Sequence, residues 1–157
     1  MRRKKKGFLF KQNRGRRLDR TTKENREPTQ CPDCGVLFIN GHWTWEAARP
    51  TNGLEVCPAC KRIEENDPIG FVTLSGSFLN EHRSEIILMV RDLERSESSA
   101  HPLERIIKIK ETNRHLFITT TGVYLARRLG DYLKTAFRGT VNTSYDAQER
   151  IRISWKR

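Results

Sequence analysis

Cys31-Pro32-Asp33-Cys34-Gly35 and Cys57-Pro58-Ala59-Cys60 are two C-x-x-C knuckles with 22 residues between them. Each knuckle can turn two thiolates toward one point, and two knuckles supply a closed tetrahedral set for zinc. The gap is slightly longer than the roughly 15–20 residues usual for this pattern, but a β-hairpin fits within it. Gly35 suits the left-handed backbone that such turns require. All four cysteines of the chain are used in this way, so Cys31, Cys34, Cys57 and Cys60 are expected to hold a structural Zn2+ with no position open for water or substrate. Two disulfides fit a basic, unsignalled chain poorly, and a thioredoxin-like pair needs a βαβ unit that neither knuckle has. An iron–sulfur cluster remains open on spacing alone.

Working outward, Val36-Leu37-Phe38-Ile39-Asn40-Gly41-His42-Trp43-Thr44-Trp45 lies between the knuckles, and Asn40-Gly41 flanked by apolar residues is a short-hairpin signal. Trp43 and Trp45 are two apart and share one face of a strand. They can cover the small core of the zinc module, the favoured reading, or stack on bases. His42 reads as a turn or surface residue outside the metal site.

Beyond the knuckles, Gly70 to Ser77 reads as a short extended segment entering a helix, with Ser75 or Ser77 as N-cap. Leu79, His82, Ile86, Val90 and Leu93 then form one apolar stripe, with His82 as a core histidine, and Pro102 forbids continuation. The alternating Arg105–Lys110, a Thr112-Asn113-Arg114 turn and Leu116–Thr120 predict a hairpin. A second helix is expected from about Gly122 to Arg138, capped by Thr120 or Thr121 and stopped by Gly139. A second hairpin joins Thr140–Tyr145 to Arg150–Trp155. The expected fold class is α+β: helix–hairpin–helix–hairpin, one antiparallel sheet, both helices on one face.

The chain has 157 residues and a formal charge of +11, unevenly spread. Residues 1–30 hold 12 Lys/Arg and 3 Asp/Glu, residues 31–60 hold 1 and 3, residues 61–103 hold 5 and 8, and residues 104–157 hold 12 and 5. A mildly acidic middle thus separates two basic ends, which points to a polyanionic partner. The expected organisation is a disordered basic arm (1–27), a zinc-ribbon module (28–68) and the α+β domain (69–157). The arm has too few large apolar residues to offset the entropy of ordering. Its Arg2, Arg3, Lys4, Lys5, Lys6, Lys11, Arg14, Arg16, Arg17 and Arg20 are candidate nucleic-acid contacts; a solvating tail or an import signal is the alternative.

On the second helix Arg127, Lys134 and Arg138 fall within roughly 40° of one another at about 100° per residue. Leu125, Leu129, Tyr132 and Ala136 lie opposite, which leaves a basic stripe facing outward, with Arg128 nearby and Asp131 able to pair with Arg127. On the hairpins Lys108, Lys110, Arg150 and Arg152 alternate with buried-type Ile and should share the open sheet face.

No apolar run approaches the ~20 residues of a membrane span, and no secretory leader is evident, so a reducing, cytoplasmic location is expected. The sequence contains no G-x-x-x-x-G-K-[ST] loop, no H-E-x-x-H and no G-x-S-x-G frame. Neither an enzyme nor a small-molecule substrate is indicated.

The two knuckles, with Leu116-Phe117-Ile118-Thr119-Thr120 and Leu125-Ala126-Arg127-Arg128-Leu129-Gly130, resemble the nonsense-mediated-decay-type family of ribosomal large-subunit adaptor proteins. More narrowly, they resemble its short bacterial relatives, described as affecting ribosome stability and messenger-RNA decay. The resemblance spans about residues 28–157. It implies zinc at the four cysteines and binding to ribosomal RNA or the ribosome, in an assembly, stability or hibernation-type role. Larger family members carry two cysteine clusters where this sequence has one, so no export-adaptor role is carried over. A DNA-binding or transcription-associated zinc ribbon, and a protein–protein adaptor using the acidic middle, are the competing expectations.

Overall fold

The structure is a computed structural model that describes residues 28–46 and 51–157. The basic arm and its ten candidate contacts lie outside the described residues. Four short strands follow in order: β1 (Thr29–Gln30), β2 (Leu37–Ile39), β3 (His42–Thr44) and β4 (Gly53–Leu54). They form one sheet in the order β3-β2-β1-β4. Asn40 and Gly41 take φ of 52° and 82° between β2 and β3, the double left-handed turn that an Asn-Gly pair adopts at low cost. The second knuckle runs directly into helix α1 (Pro58–Glu65), with Cys57 as N-cap and Pro58 in the first turn. There its missing N–H costs nothing.

The larger unit comprises β5 (Gly70–Ser75), α2 (Ser77–Ala100), β6 (Ile106–Glu111), β7 (His115–Thr120), α3 (Val123–Phe137), β8 (Thr140–Tyr145) and β9 (Ile151–Lys156). Both expected hairpins form, β6 with β7 and β8 with β9. The sheet is mixed, however, not antiparallel. Its order is β6-β7-β5-β9-β8, and β5, expected only as a lead into a helix, is the central strand, antiparallel to β7 and parallel to β9. The unit is therefore strand–helix–hairpin–helix–hairpin.

Period-two alternation decides which face is covered. Val72 and Leu74 on β5, Leu116 and Ile118 on β7, and Ile151, Ile153 and Trp155 on β9 are buried. In register with one another, they pack against Leu79, Ile86, Val90 and Leu93 of α2 and Leu125, Leu129 and Leu133 of α3. Each buried Leu or Ile contributes about 1.5–3 kcal/mol. Among the described residues, α2 and α3 both pack on this face and leave the opposite one open. Among the described residues no helix is long and apolar enough to cross a membrane.

Several local expectations change. The buried face of α3 is Leu125, Ala126, Leu129, Gly130 and Leu133, while Tyr132 and Ala136 are exposed; the stripe follows i, i+4 and i+8 from Leu125, and those two residues fall beside it. The N-cap of α2 is Gly76, and neither Ser75 nor Ser77 caps it. The N-cap of α3 is Gly122, and the Glu104 carboxylate, from a distant loop, accepts the Leu125 N–H at 2.8 Å. A Cβ at Gly122 would meet that carboxylate, so a larger residue there would push the Glu104 side chain out of its capping position. Thr121 instead donates to the Leu103 carbonyl at 2.6 Å. His82 is half-buried rather than core: its ring stacks on Phe78 at 4.0 Å and bonds Glu85 at 3.0 Å, at the point where α2 departs from helical backbone.

Candidate metal centre and basic surfaces

The four sulfurs of Cys31, Cys34, Cys57 and Cys60 lie within 4.8 Å of one another. The first knuckle is closed by Gly35 N–H on the Cys31 carbonyl and by Cys31 N–H on the Val36 carbonyl, each at 2.9 Å. The second is closed by α1, whose Cys60 N–H points at Cys57 Sγ at 3.4 Å. Cys57 N–H in turn points at Cys31 Sγ at 3.3 Å, which locks the knuckles together across 26 residues of sequence.

A tetrahedral metal with bonds of about 2.3 Å to sulfur requires sulfurs about 3.8 Å apart. Cys34 and Cys57 stand 3.8 Å apart, well beyond the ~2.05 Å of a disulfide. The donor set therefore fits a structural metal ion, fully enclosed by protein thiolates. Burial pushes the Cys57 thiol up. It pushes Cys60 up as well, reinforced by the neighbouring Cys57 and Cys34 sulfurs. Cys31 is also penalised by burial, but the backbone N–H groups of Cys57, Cys34 and Asp33 outweigh this and bring it down to about 7. A cation held by all four sulfurs would stabilise them as thiolates.

Arg105, just before β6, supplies part of the surroundings. Its Nη1 donates to Cys60 Sγ at 3.5 Å, and its guanidinium lies 5.8 Å from the Trp45 ring centre. Trp45 Nε1 donates to the Ser98 carbonyl at 2.7 Å, so this tryptophan bridges the cysteine module to α2. Trp43 packs on the cysteine cluster and lies 5.2 Å from the Phe38 ring, the core reading of that residue. His42 is exposed and bonded to the Asn40 carbonyl, outside the metal set. Neither Arg105 nor the Trp45 bridge has a local sequence signal, because their partners lie 45 and 53 residues away.

The cationic candidates divide between opposite sides of the large sheet. On α3, Arg127 donates from Nε to Tyr145 Oη at 3.0 Å. Arg128 is held by the Glu97 carboxylate at 2.8 Å, and that bond raises its pKa further. Lys134 and Arg138 are exposed. Glu97 thus neutralises Arg128 beside the stripe, and the stripe belongs to the helix layer rather than to the open sheet face.

On the open face, Lys108 and Lys110 sit opposite Thr119 and Phe117, and both are exposed. Arg152 sits opposite Phe71 and Ser144, and Arg150 flanks it. Lys156 lies on the same face of β9 and was not singled out by the sequence, nor were Phe71 and Phe117. The Asp146 carboxylate bonds Arg150 at 2.9 Å and Arg152 at 3.4 Å. No protein-family model matches the chain, and no curated protein or solved structure matches it either.

Proposed function

We propose that this chain is a non-enzymatic zinc-ribbon RNA-binding protein that associates with the ribosome or ribosomal RNA. Zinc at Cys31, Cys34, Cys57 and Cys60 keeps the small module rigid; zinc suits a closed four-thiolate tetrahedral site because it has no redox chemistry and no preference against that geometry. The observation that carries the RNA reading is the open sheet face. Its strands bear Lys108, Lys110, Arg152 and Lys156 and, among the described residues, no Asp or Glu of their own on that side; the Asp146 carboxylate, from the β8–β9 turn, offsets part of the Arg152 charge. Such a predominantly cationic surface favours a polyanion by displacing its condensed counterions. The sequence resemblance to ribosomal adaptor proteins supports ribosomal RNA as the polyanion, and the basic arm adds charge to the same partner.

The test is sedimentation of a lysate expressing the tagged full chain, followed by competition on the purified protein. Co-migration with ribosomal particles, and displacement by ribosomal RNA ahead of duplex DNA, are expected. Displacement by duplex DNA first would favour a transcription-associated zinc ribbon. Binding to a protein partner that survives high salt and loss of residues 1–26 would favour an adaptor.

A further inference from the structure

On the open face two aromatic rings occupy the adjacent central strands. Phe71 on β5 pairs with Thr119 on β7, and Phe117 on β7 pairs with Thr73 on β5, so the two rings are diagonal neighbours on one side of the sheet. They are not equivalent. Phe71 is half-buried beneath the Arg152 guanidinium, 4.4 Å from its ring centre, with Arg150 at 5.7 Å. Phe117 is 36% exposed, with the His115 ring stacked beside it at 5.6 Å and 26° between planes. Lys108 and Lys110 border this row on β6, and Lys156 on β9.

Resting on the RNA-binding reading above, we infer that this face is a stacking platform for single-stranded RNA, with Phe117 the ring on which a base lies and Lys108, Lys110 and Arg152 the phosphate contacts. A duplex keeps its bases stacked inside and presents mainly phosphates and groove edges, so it has no free π-face to offer an exposed phenyl ring. A single strand has one for every nucleotide. Charge selects the polymer: the strand residues of this face are cationic or neutral, and the nearby carboxylates, Asp146 and Glu149, lie in the β8–β9 turn. The Arg152 guanidinium, 4.4 Å from the Phe71 ring centre and tethered by Asp146, adds a planar cationic group beside Phe117.

The test measures fluorescence anisotropy of a labelled short oligouridylate, and of an RNA hairpin duplex with as many phosphates, against the full chain. Wild type should prefer the single strand. Phe117→Leu, which keeps an apolar side chain without the ring, should lose about 5- to 150-fold in affinity for the oligouridylate. Phe117→Tyr should bind as wild type does. Thermal unfolding unchanged in both variants assigns the loss to stacking. Equal binding by Phe117→Leu, or a preference for the hairpin, overturns the platform while leaving RNA binding through the arm and α3 intact. Absence of binding to either RNA overturns both readings.

Discussion

The cysteine module and the large sheet unit are held together by different physics. The core of the large unit is sixteen buried residues contributed by two helices and four of the five strands. The buried cluster of the module is Cys31, Val36, Cys57, Ala59 and Cys60, of which three are the proposed ligands themselves, and Leu37 and Ile39 of β2 are the further buried apolar residues. Its strands are two or three residues long. A cluster that small cannot stabilise a domain by burial, and small modules of this kind depend on a metal or disulfides. The large unit needs no such help. The two are joined at the loop between α2 and β6, where Leu103 packs on the cysteine cluster, Arg105 reaches Cys60 and Glu104 caps α3.

The contrast breaks most visibly on chelation. Structural zinc contributes on the order of 10–16 kcal/mol of apparent binding energy, so removing it should abolish hydrogen-exchange protection in the short strands and α1. The β5–β9 sheet should keep its own cooperative unfolding. Equal protection of the module with and without metal would erase the distinction. The converse change is Leu129→Ala in the buried face of α3, which should cost about 2–5 kcal/mol in denaturant unfolding of the large unit with bound metal per chain unchanged.

Arg105 sharpens the comparison at the joint. Replacing a group that bonds a metal ligand commonly lowers metal affinity by about 10- to 100-fold. Arg105→Ala should show that loss in competition with a chromophoric chelator, with little change in the unfolding midpoint of the sheet. An unaltered affinity would mean that the joint does not tune the metal.

The smallest effect belongs to Asp146. Burial pushes its carboxyl up, but the backbone N–H and side chain of Arg150 and the N–H of Gln148 outweigh this and hold it below its ordinary value of 3.8. A depressed folded-state pKa gives stabilisation that is present above the unfolded value and is lost as the pH falls through the folded one. The Gln148 and Arg150 amide resonances should therefore titrate with a midpoint below 3.8, and a midpoint above 3.8 would contradict the assignment.

What could be read from the sequence was local. The knuckle spacing, the Asn40-Gly41 turn, both hairpins and the extent of α3 each depend on neighbours a few residues apart. The misses share one cause. β5 has an alternating Phe71-Val72-Thr73-Leu74-Ser75 pattern, but its parallel partner lies some eighty residues away, and periodicity says nothing about which strands pair. Glu97 pairing with Arg128, Glu104 in place of a threonine cap, and Arg105 on a cysteine are likewise contacts between distant segments. The four cysteines are legible as a set because ligand spacing is short-range chemistry. The aromatic pair Phe71 and Phe117 has no local sequence signal, because only the β5–β7 register makes it a pair.

The most direct test of the account is the salt dependence of RNA binding by the zinc-loaded full chain. If about 6–10 phosphates are neutralised, affinity should fall roughly 10³- to 10⁵-fold between 50 and 200 mM salt, on a straight log–log line. A flat response across that range, or no measurable binding at the low end, would contradict it.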